Sequence, residues 1–247
     1  MSQGFQLLLL TLLGSVIALF GGVIFLFNRK LSNILERYSI PYAAGVLVTV
    51  SLLGLLPEAE HSIGEKAYWI VAISFLSAYL FEHFFFGIHH HEDHEHIRGR
   101  QFPLPLVIVG DTIHNFIDGV AIAVSLLVSP GLGLITATST FLHEIPHEIG
   151  DFGILLRAGW KKRKIITVNI ISSLTTILGA FMVYYFNQGE SLNGTLMGIS
   201  AGIFLYLGAS DFLPRIDVNE KNKFKSIIPL ILGAASMIAI FLLVPHE

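Results

Sequence analysis

The chain has 247 residues, of which 53% are hydrophobic and only 13% charged, and its mean hydropathy is +0.69. A soluble domain carries roughly 25% charged residues, so a water-exposed globule of this size would lack polar surface. Fifteen Lys and Arg against eighteen Asp and Glu give a net charge of −3, which excludes the basic stripe of a nucleic-acid binder. The absence of cysteine excludes disulfides, thiol catalysis and zinc–thiolate sites. What remains is an integral membrane protein.

A membrane-spanning helix needs about 20 predominantly apolar residues. Eight stretches supply them, at about 4–27, 40–57, 67–87, 104–128, 132–156, 164–187, 194–214 and 226–245. The first is expected to stay as a helix rather than act as a leader, because no Lys or Arg precedes Arg29 to form a positive n-region. Basic residues then orient the bundle: 14 of the 15 fall in the loops after the odd-numbered spans, and Lys66 alone lies opposite. By the positive-inside rule the basic side is cytoplasmic, so both termini face outward. The expected fold is an all-α integral membrane protein of eight transmembrane helices, with residues 1–247 as one domain in the plasma membrane (the inner membrane if bacterial).

The second span reads AGVLVTVSLLGLLPEA from Ala44 and the seventh AGIFLYLGASDFLPRI from Ala201, each with a proline 12 residues after its glycine. These two spans run in opposite directions. The echo therefore implies inverted repeats in a 3+2+3 arrangement, with the first three and last three helices flanking a central pair. Gly194, Gly198 and Gly202 recur at every fourth position and predict close helix–helix packing.

Ionisable side chains cost about 2.5–3.5 kcal/mol each at the centre of a spanning helix by insertion scales. The fourth and fifth spans nevertheless carry many: Asp111, His114, Asn115 and Asp118 in one, and His143, Glu144, His147, Glu148 and Asp151 in the other. Neither contains a Lys or Arg to compensate, so the counter-charge is expected to be a bound cation. His114 with Asp118, and His143 with His147, are spaced four apart and share a helix face. Imidazole suits zinc, iron and related metals, while carboxylate and amide oxygens suit harder cations. Counted inward from opposite membrane faces, His114 and His143 each lie about 15 Å deep, the midplane of a core roughly 30 Å thick. Two ligand sets at one depth can hold one or two divalent ions. Pro146, between the two histidines of the fifth span, removes a helix hydrogen bond and predicts a local kink.

HNFIDGVAIA at 114–123 and HEIPHEIGDF at 143–152 closely resemble the paired signatures of the ZIP (Zrt/Irt-like) divalent-metal transporters, nearest the branch whose fifth helix reads HExPHExGD. The resemblance implies transport of zinc, or of iron, manganese or cadmium, into the cytoplasm by a rocking or elevator-like motion. It implies a homodimer, no organic cofactor and no enzymatic activity. It also implies a binuclear site: one ion on His114, Asp118, His143 and His147, a second on Asn115 and Glu144 with His147 shared. The chain departs from that branch at Leu142 (often cysteine), Gly54 (often histidine) and Arg215 (often acidic). Its sixth span offers Asn169, Ser172 and Ser173 where some relatives place a bridging glutamate.

The third and fourth spans are joined by a cytoplasmic loop, 88–101, in which His89, His90, His91, His94 and His96 form a metal-binding composition. Glu58, Glu60, His61 and Glu65 make an acidic outer mouth that would concentrate cations. Asp111, Glu148, Asp151 and Asp211 lie on the cytoplasmic halves of their helices, as an exit path or as partners orienting the histidines. A second reading comes from the same residues: HEIPH spells H-E-x-x-H, the zinc-metalloprotease motif with Glu144 as general base. Against an intramembrane protease stand Pro146 within the ligand helix and the second His/Asn/Asp set at matched depth, which a protease does not need.

Overall fold

The computed structural model describes residues 2–27, 29–86, 104–186, 189–215 and 223–246, and every regular element among them is helical. Apolar runs of this length have no water with which to satisfy backbone N–H and C=O groups, so the chain must bond within each segment.

In chain order, α1 (Gln3–Leu12) continues through a π-helical turn (Leu13–Ile17) into α2 (Leu19–Phe27). The second span is α3 (Arg29–Val50), a π turn (Ser51–Leu55) and α4 (Leu56–Ile63), closed at Gly64 with φ +64°. Then come α5 (Lys66–Phe81) with a π turn at Glu82–Phe86, α6 (Leu104–Val128), α7 (Pro130–Arg157) and α8 (Lys162–Phe186). Last are α9 (Glu190–Tyr206), its π turn (Leu207–Phe212), a 3-10 turn (Leu213–Arg215) and α10 (Lys223–Leu243).

One difference from the sequence reading has a physical cause. Residues 29–39 read as a polar connection but are helical: hydropathy marks where a helix leaves the apolar layer, not where its hydrogen bonding stops. Among the described residues, six segments are long and apolar enough to cross a membrane by themselves: Gln3–Ile24, Tyr38–Ile63, Lys66–Phe84, Leu104–Val128, Lys162–Phe186 and Glu190–Phe212. The 28-residue α7 is diluted by its histidines and carboxylates.

The echoed motifs share a structural device. Proline lacks an N–H, so Pro57 and Pro214 leave the carbonyls of Leu53 and Ser210 without their usual helical donor. Both carbonyls fall inside π turns, Ser51–Leu55 and Leu207–Phe212.

Packing uses paired glycines. A Cβ placed on Gly119 of α6 would strike the Thr176 carbonyl of α8, and one on Gly179 of α8 would strike the Phe116 carbonyl of α6. The α3–α10 crossing repeats the pattern, with Gly45 against the Leu230 carbonyl, Gly233 against the Tyr42 carbonyl, and the Tyr42 and Ser236 hydroxyls 2.8 Å apart. Small residues permit such backbone contact where lipid supplies no hydrophobic drive for association. Gly194 of the small-residue ladder meets Ser62 and Ile63, and Gly198 and Gly202 meet α5. Between these crossings α7 packs against α2, α3 and α6, which holds its polar face away from lipid.

Candidate metal centre

The α6–α7 connection is a single turn. Ser129 ends α6, its Oγ accepts from the Leu132 N–H at 3.1 Å, and Pro130 opens α7. The helices are therefore antiparallel neighbours. His114 and His143 lie 15 and 14 residues from Ser129, which sets both about 21–22 Å along their helices from the turn.

Four buried side chains converge there. His114, Asp118, His143 and Glu144 each offer a ligand atom within 4.8 Å of the other three. His114 Nε2 lies 3.3 Å from Glu144 Oε2 and 3.7 Å from Asp118 Oδ2, and His143 Nε2 lies 3.3 Å from Asp118 Oδ2. Tetrahedral ligand atoms about 2.1 Å from a zinc ion stand about 3.4 Å apart, so these separations match the edges of such a site. His143 Nδ1 lies 2.9 Å from the Ser139 carbonyl. A carbonyl only accepts, so Nδ1 carries the proton and Nε2 keeps its lone pair for an ion. Phe204 of α9 packs edge-on against the His143 ring, with centroids 5.3 Å apart.

The donor set fits a cation. Both nitrogens of His114, both oxygens of Asp118 and of Glu144, and His143 Nε2 are buried without a hydrogen-bond partner. Leaving such groups unsatisfied costs about 1–3 kcal/mol each. A divalent ion satisfies all four side chains at once, and two carboxylates balance its charge.

Other residues singled out in the sequence fall around this group. His147 has its Nδ1 3.7 Å from Asp111 Oδ1 and forms, with Asp111 and Asp151, a second set within 4.8 Å. Its ring stacks at a tilt on His114, with centroids 4.5 Å apart. Asn115 donates through Nδ2 to Asp111 Oδ1 at 2.9 Å and accepts at Oδ1 from Thr176 Oγ1 at 3.0 Å. Asp111, Glu144 and Glu148 form a third set within 4.8 Å. Asp211, in the π turn after α9, belongs to none of these sets. Glu60, His61 and Glu65 are exposed and Glu58 half-buried. His89, His90, His91, His94 and His96 lie outside the described residues.

Sequence reasoning missed Thr176, which holds Asn115 from α8, and Phe204, which backs His143. Nothing in the run SSLTT or in an apolar helix face marks either one. It also missed Tyr206, whose hydroxyl donates to Glu82 at the end of α5.

Known proteins resemble the chain over part of their length. The zinc transporter foi of Drosophila melanogaster is 32% identical over 139 residues, 56% of this chain and 20% of that protein. Zinc transporter ZIP4 of Mus musculus is 37% identical over 111 residues, 45% of this chain and 17% of that protein. Zinc transporter ZIP10 of Homo sapiens is 33% identical over 149 residues, covering 56% and 18%. The matches thus span about a fifth or less of these relatives' length, and all three are named as transporters rather than enzymes. A family model described as ZIP zinc transporter matches residues 90–241, which include all of α6 and α7. The chain is a member of the ZIP zinc transporter family.

Proposed function

We propose that the protein carries divalent transition-metal ions, zinc foremost, across the membrane into the cytoplasm. Iron, manganese and cadmium are further cargo of the same chemistry. The observation that supports this most directly is the buried convergence of His114, Asp118, His143 and Glu144. An ion entering that group exchanges water for two imidazoles and two carboxylates. Asn115 and His147 border the group on the side of Asp111 and extend it from a mononuclear to a binuclear centre.

The eight-span fold with outward termini, the plasma-membrane location and a homodimer belong to the same proposal. The inward direction of transport comes from the family resemblance, and the asymmetry of basic residues marks the side bearing Arg157 and Lys161–Lys164 as the cytoplasmic one.

The protease alternative fits less well. A general base must reach a water at an open coordination position, but Glu144 is fully buried with its carboxylate turned to His114. The second histidine of HEIPH falls outside the group that gathers His143 and Glu144 and joins Asp111 and Asp151 instead.

Zinc and cadmium uptake into proteoliposomes tests the proposal, with His143→Ala beside the wild type. Saturable uptake that disappears in the variant is expected. Absent wild-type uptake, accompanied by Glu144-dependent cleavage of a membrane peptide, would transfer the assignment to the protease.

A further inference from the structure

One helical turn from the histidine-rich group stand ligand atoms that the proposed site does not use. Asp111 lies three residues before His114 on α6, and Glu148 four residues after Glu144 on α7. Because the two helices are antiparallel, both steps run the same way, by about 4.5–6 Å. Asp111, Glu144 and Glu148 bring their carboxylate oxygens within 4.8 Å of one another, and all three side chains are buried.

Three features make this more than an acidic cluster. Glu148 is 0% exposed, and neither of its oxygens has a hydrogen-bond partner. The charged groups facing it, Asp111, Glu144 and Asp151, are all acidic. No Lys or Arg occurs between residues 101 and 156, so neither helix supplies a counter-ion beside Glu148, and Arg157 ends α7 nine residues further on. Asp111 is also held in place: Asn115 Nδ2 binds its Oδ1 at 2.9 Å and its carbonyl at 3.1 Å, while Thr176 fixes the Asn115 amide from the other side.

We propose that Asp111, Glu144 and Glu148 form a second, all-oxygen subsite for a divalent cation, separate from the histidine-rich group and linked to it through Glu144. Three carboxylates without imidazole favour harder ions, manganese above zinc. Glu144 belongs to both sets. An ion leaving His114 and His143 can therefore keep one carboxylate while it gains Asp111 and Glu148, and it is never stripped of ligands in an apolar layer. The inference deepens the transport proposal and rests on it for the identity of the arriving ion.

The test uses the full chain in detergent micelles. Cobalt(II) absorption reports the imidazole-bearing group, and manganese(II) electron paramagnetic resonance, with zinc present at saturation, reports the oxygen subsite. The wild type should bind one zinc-resistant manganese equivalent. Glu148→Gln and Asp111→Asn, each keeping the wild-type gel-filtration profile, should weaken that equivalent at least tenfold and retain the cobalt bands.

Manganese binding that is absent in the wild type, or unchanged in both variants, overturns the subsite. Loss of cobalt and manganese signals together in both variants overturns its separateness. Failure of the histidine-rich reading shows independently, as wild-type cobalt bands that are missing or insensitive to His143→Ala.

Discussion

His143 and Ser139 are one helical turn apart, and the 2.9 Å contact between the His143 ring and the Ser139 carbonyl settles which imidazole nitrogen faces Asp118. The backbone of α7 thereby fixes the tautomer that an ion requires. His114 has no such tie: both its nitrogens are buried without a hydrogen-bond partner. One histidine is tied to backbone, and the other stands 3.3 Å from Glu144 and 3.7 Å from Asp118.

The first prediction concerns stability. An ion bound only by the folded state stabilises it by RT ln(1 + [L]/Kd), about 2.7 kcal/mol at a hundred times Kd. Zinc should raise the apparent Tm of the purified protein and a chelator should reverse the rise. In His143→Ala the zinc-dependent rise should vanish. Thermal denaturation followed by tryptophan fluorescence or size-exclusion recovery reads this directly, and an undiminished rise in the variant would contradict the ligand assignment.

A second prediction follows the Thr176–Asn115–Asp111 chain. Residues that orient metal ligands typically carry about 10–100-fold in affinity or activity, and Asn115, besides bordering the metal group, steadies Asp111. Asn115→Leu should lower zinc uptake by that order, with protein level unchanged. Thr176→Val removes one hydrogen bond, worth about 1 kcal/mol, and should lower uptake about fivefold. Equal losses from the two substitutions would mean that Asn115 acts only through Thr176.

Glycine contacts give a third, with its own control. A Cβ on Gly119 or Gly179 meets carbonyl backbone, which cannot swing aside. Gly119→Ala and Gly179→Ala should each destabilise by about 1–3 kcal/mol, the usual cost of overpacking. On Gly150 of α7 an added Cβ meets nothing within 4 Å. Gly150→Ala should be neutral or stabilising by up to about 1 kcal/mol, the helix preference of alanine over glycine. Thermostability in detergent ranks the three.

The fourth concerns the end of α5. Tyr206 donates its hydroxyl to Glu82 and packs edge-on with Phe75 and Tyr79, with centroids 5.7 and 6.3 Å apart. Hydrogen bonds to charged groups contribute about 1.5–3 kcal/mol. Tyr206→Phe keeps the ring contacts and deletes the bond. Amide exchange should accelerate around Glu82–Phe84, while exchange in α6 and α7 should stay at wild-type rates.

Much of the site was legible in the sequence because it depends on local rules. Four-residue spacing puts His114 with Asp118, and equal distances from one turn bring two helices into level at His114 and His143. What the sequence does not carry is helix rotation. His147 lies about 40° and Glu144 about 100° round the helix from His143, and nothing in HEIPHE says which one turns to His114 and which to Asp111. The backbone contact at Gly119 and Gly179 settles the α6–α8 crossing, and the Asn115–Thr176 bond across it joins positions 61 apart. The same limit applies to the fold. An all-helical membrane protein follows from composition, but α7 is more polar than an ordinary span because histidines and carboxylates take the place of apolar residues.

The π turn before Pro214 explains one further placement. Asn193, Met197, Ser200 and Phe204 follow the helical repeat along one buried face of α9, and Phe204 meets His143. In an unbroken helix the next members of that face would be residues 207–208 and then Asp211, seven beyond Phe204. A π turn holds about one residue more than an α turn, so angular phase slips by about 100° as the chain passes through it. Asp211 sits near the far end of that slip. Asp211, although buried, joins none of the histidine and carboxylate groups that α6 and α7 bring together.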